Sequence, residues 1–158
     1  LLLCKKRSVL KEVQAAFRER TVKKKYTLIV AGRWPNKTRS VQGRLLRYLT
    51  HWGERRVRVD DTGQVARTDF QVMELASDAT MLQASLHTGR THQIRVHAQS
   101  QGFPILGDSK YGNHVEGHYA PRLCLHASRL VVPVGGDRLD LTAPMEPTMA
   151  AYWQRLKG

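Results

Sequence analysis

The sequence predicts an α+β domain, a mixed and mostly antiparallel sheet with helices packed beside it. Three observations lead there. Segments with strand character recur from Lys24 onward and are joined by short turns rich in Gly, Pro, Asn and Asp, which suits antiparallel neighbours. Helical periodicity is confined to the start, one central segment and the end. No internal repeat or low-complexity tract divides the 158 residues, a length suited to one domain.

Each element has its own signal. After the apolar Leu1-Leu2-Leu3, Ser8 is placed to cap a helix in which Val9, Leu10, Val13, Ala16 and Phe17 recur at helical spacing to about Arg20, with a basic outer face. Lys24 to Val30 reads as a strand ending at Ala31-Gly32, and Arg33 to Arg39, containing Trp34-Pro35-Asn36, reads as loop. Gly43 to Thr50 is ambiguous. Arg55 to Asp60 alternates charge with valine, Asp61-Thr62-Gly63 is a turn, and Val65 to Leu75 completes an expected hairpin. Met81 to Leu86 alternates as a half-buried strand does, and Thr91 can cap a helix running to about Ser100, with Gly102 placed to end it. Gly102 to Gly112 is broken by Pro104 and glycines, and Asn113 to Pro121 reads as an exposed excursion. Leu123 to Val132 returns to strand, with a last pairing around Leu139 to Leu141. Thr148 can then open a terminal helix through about Lys157 that carries Met149, Tyr152, Trp153 and Leu156.

Charge narrows the function class. Basic residues number 26 against 13 acidic ones, a formal net charge of +13, so the expected partner is a polyanion. Lys5-Lys6-Arg7, Lys23-Lys24-Lys25, Arg44 to Arg47 and Arg55-Arg56 are the local concentrations. No apolar run approaches the roughly 18 residues of a membrane-spanning helix, and no long helix pairs a basic face with a broad apolar one, which disfavours a membrane surface. Cys4 and Cys124 lack the spacing of a metal knuckle and are expected to be buried small apolar residues in a reducing compartment, the cytosol. A monomer is the default expectation.

The segment Leu86-His87-Thr88-Gly89-Arg90-Thr91-His92-Gln93-Ile94-Arg95-Val96-His97 is the candidate site. It places Arg90 to Arg95 at a strand-to-helix junction, where backbone N–H groups and two arginines favour an anion. His87, His92 and His97 recur every fifth residue, which fits neither a helical face nor alternate strand positions, so no metal site is expected. Gly107-Asp108 with Tyr111-Gly112 lacks the spacing of a triphosphate-binding loop and reads as a tight turn shaping a cleft. From residues alone, a noncatalytic RNA-binding module and a metal-dependent nuclease using the histidines and Asp108 both stay open.

The stretch Thr88 to His97 also resembles the signature of RluA-type pseudouridine synthases, enzymes that isomerise uridine within RNA. Lys24-Lys25-Tyr26, Gly107-Asp108-Ser109-Lys110-Tyr111-Gly112, Arg122-Leu123-Cys124-Leu125-His126-Ala127 and Ala143-Pro144-Met145 match in the same order, nearly end to end. Ser40-Val41-Gln42 and Gly53-Glu54-Arg55-Arg56-Val57 are most similar to the RluC-like members, which modify large-subunit ribosomal RNA. The resemblance implies a curved sheet with an RNA cleft across its middle, ribosomal RNA as partner, and no metal or organic cofactor. It implies that the family's catalytic aspartate, in a His-Arg-Leu-Asp-x-x-Thr-Ser-Gly motif, lies just upstream of Leu1, so residues 1–158 form a partial catalytic domain without a nucleophile or an N-terminal RNA-binding domain. Asp137-Arg138-Leu139-Asp140-Leu141-Thr142 superficially repeats part of that motif, but its Thr comes one position early and the Ser-Gly is missing.

By the same resemblance, Arg95 pairs with the aspartate, Tyr26 lies against the target base and Leu125 packs on the uracil. Arg90, His92, Gln93, Lys24, Lys25 and Arg122 are expected to hold RNA. Arg95 and Tyr26 are expected to face a shared hollow near the point where Leu1 enters the fold. Whether the aspartate attacks the sugar or removes a ribose proton stays open.

Overall fold

The computed structural model describes residues 2–112 and 117–158, so Leu1 and part of the Asn113 to Pro121 excursion lie outside the described residues. The elements are α1 (Arg7–Arg18), β1 (Lys23–Ala31), β2 (Thr38–Leu49), β3 (Arg55–Val59), β4 (Gln64–Leu75), β5 (Ala79–Leu86), α2 (Gln93–Ser100), β6 (Leu125–Val134), β7 (Asp137–Thr142) and α3 (Pro147–Lys157). The seven strands form one antiparallel sheet in the order β3-β2-β4-β5-β1-β6-β7. The ambiguous Gly43 to Thr50 is the second half of β2.

The expected hairpin between Arg55 to Asp60 and Val65 to Leu75 does not form. β3 pairs with the end of β2, then residues 60–63 cross close to β2, and β4 pairs with the start of β2 on its other edge. Alternation and turn residues mark strand ends but not which neighbour a strand chooses. Gly63 permits the crossing, because a Cβ there would meet the Leu45 carbonyl carbon at 2.4 Å. The Arg44 guanidinium donates to the Gly63 carbonyl at 3.1 Å and seals the crossover.

Burial follows strand position. β5 sits at the centre of the sheet and is buried continuously from Ala79 to Leu82, so the expected half-buried alternation is found only towards its end. The main core joins Leu28, Ile29, Val30, Phe70, Leu82 and Ala84 of the sheet to Ile94 and Ala98 of α2 and to Met149, Tyr152 and Trp153 of α3. A second cluster packs Val13 and Ala16 of α1 on Val132 of β6, with Cys4 half-buried at its margin.

The helix starts differ from expectation in each case. α1 begins at Arg7 with Lys6 at the N-cap and no side-chain cap, so Ser8 lies inside the helix. Glu146, not Thr148, caps α3: its carboxylate accepts from the Thr148 and Met149 amides at 3.1 and 3.0 Å, and Pro147 fills the first helical turn. α2 begins at Gln93 behind His92, which adopts φ 53°, and Thr91 caps nothing. Among the described residues no helix is long and apolar enough to cross a membrane.

Candidate active site and nucleic-acid cleft

The pairing register fixes which side chains share a face. Tyr26 pairs with Ala84, which pairs with Phe70, while Leu28 pairs with both Leu82 and Leu125. Cross-strand partners point the same way and positions two apart along a strand agree, so Tyr26, Leu125, Ala84 and Phe70 occupy one face. Thr68, two residues before Phe70, meets His97 of α2 on that face at 2.9 Å. The helix bearing Arg95 therefore covers the face that carries Tyr26 and Leu125.

A buried glutamine holds the start of α2 against β4. Gln93 is 2% exposed, and its side-chain oxygen accepts from the Thr88 hydroxyl at 2.7 Å and the Arg90 amide at 3.0 Å. Its amide nitrogen donates to the Arg67 carbonyl at 2.9 Å and the Thr68 hydroxyl at 3.0 Å. All four hydrogen-bonding positions are filled, which leaves nothing to offer RNA. Gln93 is thus a clamp that shapes the Thr88 to Gln93 turn, a correction to its expected role.

Arg95 is the most constrained charge on this face. Its Nε and Nη2 donate to the two carboxylate oxygens of Asp108 at 2.8 and 2.6 Å, with side-chain exposures of 13% for Arg95 and 1% for Asp108. The hydrogen bonds to Asp108 raise the arginine's pKa further. Burial alone would push the Asp108 carboxyl up, but Arg95 and the amides of Tyr111 and Lys110 hold it below the usual carboxylate range. The guanidinium carbon lies 4.9 Å from the Tyr111 ring centroid. Among the described residues Arg95 bonds only Asp108, so Nη1 remains for another acceptor. The sequence marks Asp108 as part of a turn, and in the fold that turn brings its carboxylate to Arg95.

Gly107 makes this turn possible. Its φ is +74°, and a Cβ would fall 1.9 Å from the Arg122 carbonyl oxygen. Tyr111, which the sequence marks only as part of the turn, closes the assembly: its hydroxyl accepts from the Val57 amide at 2.9 Å and meets His92 Nδ1 at 2.7 Å. Burial, then the charges of Arg95 and Lys110, lower the His92 pKa and favour the neutral ring.

Tyr26 opens onto a cavity of about 410 Å³ lined also by Leu2, Phe17, Lys24, Ala127, Leu141 and Thr142. Leu2 thus enters the fold beside Tyr26. Arg95 does not line that cavity, so the hollow it was expected to share with Tyr26 is not found among the described residues, although its helix packs on the same face. Lys24 links the cavity to the Gly89 loop: its ammonium lies over the Phe17 ring at 5.6 Å and would be 3.3 Å from a Cβ on Gly89. Gly89 in turn lines a second cavity of about 430 Å³ with Arg90, Thr91 and Arg47. Burial lowers the Lys24 pKa and raises that of Tyr26.

The remaining expected contacts scatter. Lys25 points to the opposite face, where its ammonium donates to Gln83 at 2.9 Å, because successive strand residues alternate. Arg122 is exposed and lies 3.4 Å from Glu146, the α3 cap. Arg90 is half-buried, with Nε on the Val65 carbonyl at 3.1 Å. Asp140 sits exposed on β7 in an ion pair with Arg129. Burial pushes the Cys124 thiol up to about 11, which leaves it unreactive. His87, His92 and His97 contact Asp69, Tyr111 and Thr68 respectively, and among the described residues no group of three or more ligating side chains could hold a metal ion.

The buried Arg95–Asp108 pair stands on an antiparallel sheet beside cavities lined by Lys24, Arg47 and Arg90, and comparison with known proteins gives the family of this fold. The family described as RNA pseudouridylate synthase matches residues 1–100. Ribosomal large subunit pseudouridine synthase C of Vibrio vulnificus (strain CMCP6) is 40% identical over 99% of this chain and 51% of that protein. The protein of the same description from Escherichia coli (strain K12) is 39% identical over 100% of this chain and 52% of its own length. The solved structure of human RNA Pseudouridylate Synthase Domain Containing 1 superposes with a TM-score of 0.83 at 24% identity, covering 94% of this chain and 65% of that one, a likeness of fold. The chain belongs to the RNA pseudouridylate synthase family, and it spans about half the length of the curated relatives it matches.

Proposed function

We propose that this chain is the greater part of a catalytic domain that isomerises uridine to pseudouridine in large-subunit ribosomal RNA. The observation that carries the reading is the common face of Tyr26, Leu125 and the Arg95 helix, beside a cavity joined through Lys24 to the basic Gly89-Arg90 loop. The relatives' names supply the substrate class; a cytosolic monomer is part of the same proposal.

The isomerisation breaks the bond from ribose C1′ to the uracil nitrogen N1 and joins C1′ to carbon C5; C5 gives up its proton and N1 gains one, so no atom is gained or lost overall. By the family resemblance the nucleophilic aspartate is contributed by sequence outside these residues; Asp108 is buried with both oxygens engaged and Asp140 lies on an exposed edge strand. Tyr26 stacks on the extruded base, and Leu125 packs against the freed uracil. Base extraction costs a few kcal/mol, and an aromatic stack of roughly 1–3 kcal/mol offsets much of it. Arg95 offers Nη1 to the incoming carboxylate, keeping it ionised and aimed. Lys24 and Arg90 hold the flanking phosphates.

The test is incubation of large-subunit ribosomal RNA with protein that includes the aspartate motif, followed by carbodiimide labelling and primer extension. Pseudouridine-dependent stops on RNA of unchanged length are expected. Shortened RNA, or a requirement for added divalent metal at the chemical step, contradicts the proposal in favour of a nuclease.

A further inference from the structure

Tyr111 makes a set of contacts that the uridine mechanism above leaves unused. It stands in the turn after Asp108, on a segment bound to β3 from two sides. The Arg56 guanidinium donates to the Lys110 carbonyl at 3.0 Å, and the Lys110 ammonium pairs with Glu54 at 2.6 Å. The Val57 amide donates to the Tyr111 hydroxyl at 2.9 Å. From that frame the ring reaches two residues at the start of α2, three positions apart and therefore on one side of the helix. The Arg95 guanidinium carbon lies 4.9 Å from its centroid, and the His92 ring packs edge-on at 5.4 Å.

The number of available protons decides what the hydroxyl does. A phenol has one proton to give. Because its oxygen accepts from Val57, that proton is free for His92 Nδ1, 2.7 Å away. A ring nitrogen that accepts is unprotonated, so the neutral imidazole carries its proton on Nε2. That nitrogen has no partner among the described residues. In the other tautomer Nδ1–H would donate to the phenol, and the phenol's own proton would have no acceptor among the described residues.

His92 is also a point of backbone strain. Its φ is 53°, and Arg20 is the one other non-glycine residue with positive φ among the described residues. This left-handed residue sets the direction in which α2 leaves the site loop. Burial disfavours its imidazolium most, Arg95 and Lys110 add to that, and Asp108 and Glu54 oppose it. We propose that Tyr111 is a positioning residue for the isomerisation: its hydroxyl locks His92 as the Nε2–H tautomer and its ring supports Arg95. Two donors, Nη1 of Arg95 and Nε2–H of His92, are then held ready together. Arg95 serves the reacting carboxylate, His92 offers a neutral donor to an RNA oxygen beside it, and Tyr111 itself touches no substrate. The inference deepens the pseudouridine-forming reading above and rests on it.

Nitrogen NMR of isotope-labelled histidine rings, in protein that includes the aspartate motif, reads the tautomer; the His92 signals are assigned by their absence from His92→Asn. The parent should show a protonated Nε2 and an accepting Nδ1, and Tyr111→Phe a mixture of tautomers. In that variant the His92 titration midpoint should move to higher pH, because the neutral ring has lost the hydrogen bond that favoured it. Turnover should fall about tenfold, with RNA affinity changed less than about threefold. A parent protonated on Nδ1 overturns the inference without any variant, and so does turnover unchanged in Tyr111→Phe. RNA affinity that falls as far as turnover makes Tyr111 an RNA contact and also overturns it. In these outcomes the parent still forms pseudouridine and the proposed function stands; a parent that forms none overturns both.

Discussion

Arg95 and Asp108 are joined through two parallel hydrogen bonds, 2.8 and 2.6 Å long, across 13 residues of sequence. Asp108 spends both oxygens on this pair and on the Lys110 and Tyr111 amides, so it fixes the arginine's plane instead of serving as a reactant. Replacing Asp108 by Asn leaves a half-buried guanidinium without its counter-charge. The expected loss is on the order of 3 kcal/mol of unfolding free energy, measured by denaturant titration at pH 7. The deficit has a defined pH sign. Asp108 titrates below its unfolded value of 3.8, so the pair's contribution is complete above that value and disappears as pH falls through the lower folded value. Asp108→Asn and the parent should therefore converge in stability under strong acid.

His97 gives a second pH signature in a different window. It is buried on Thr68, and burial brings its pKa from 6.5 to about 4. The unfolded chain takes up the proton first as pH drops, so the stability from keeping His97 neutral is complete above 6.5 and lost progressively down to about 4. The slope amounts to roughly 3 kcal/mol across that window. His97→Gln should flatten the pH dependence of the denaturation midpoint between pH 6.5 and 4; an unchanged slope assigns it to other groups.

Two glycines with similar backbone angles separate strain from steric conflict. Gly53 has φ +76° and nothing within 4 Å of a built Cβ, whereas Gly107 has φ +74° and the Arg122 carbonyl oxygen at 1.9 Å. Gly53→Ala should cost about 1 kcal/mol, from left-handed backbone alone. Gly107→Ala should cost on the order of 3 kcal/mol or more, because two backbone segments must part. Equal losses in thermal denaturation would mean that the 107–122 approach yields easily.

Tyr26 tests the base-stacking role. Tyr26→Phe keeps the ring and should retain activity in protein that includes the aspartate motif, whereas Tyr26→Ala should lose it while RNA affinity falls much less. Equal activity in both variants, measured by pseudouridine yield, removes Tyr26 from the site.

Much of this architecture is legible in local patterns, since strand character marks every strand but β2, whose second half reads as ambiguous, and the Thr88 to His97 segment marks the loop that carries Gln93 and Arg95. What escaped depended on long-range choice. Asp61-Thr62-Gly63 reads as a hairpin turn, and nothing in those residues says that β2 lies between the flanking strands. Gln93 looks like a ligand-gripping amide until the fold surrounds it with Thr88, Arg67 and Thr68. Asp108 reads as turn punctuation because its partner is 13 residues away, and the run Lys24-Lys25 hides the strand alternation that sends the two side chains to opposite faces. Glu146 gives no sequence signal as a cap, because glutamate is an unusual choice there.

The most direct measurement concerns Arg95→Lys in protein that includes the aspartate motif, with pseudouridine formation at saturating ribosomal RNA and RNA affinity recorded on the same preparation. Lysine keeps the charge but loses the planar fork that Asp108 orients. A fall in turnover of about a hundredfold or more, with affinity changed less than about threefold, is the predicted result. Turnover that holds while RNA affinity collapses would make Arg95 a phosphate contact and contradict its place beside the reacting carboxylate.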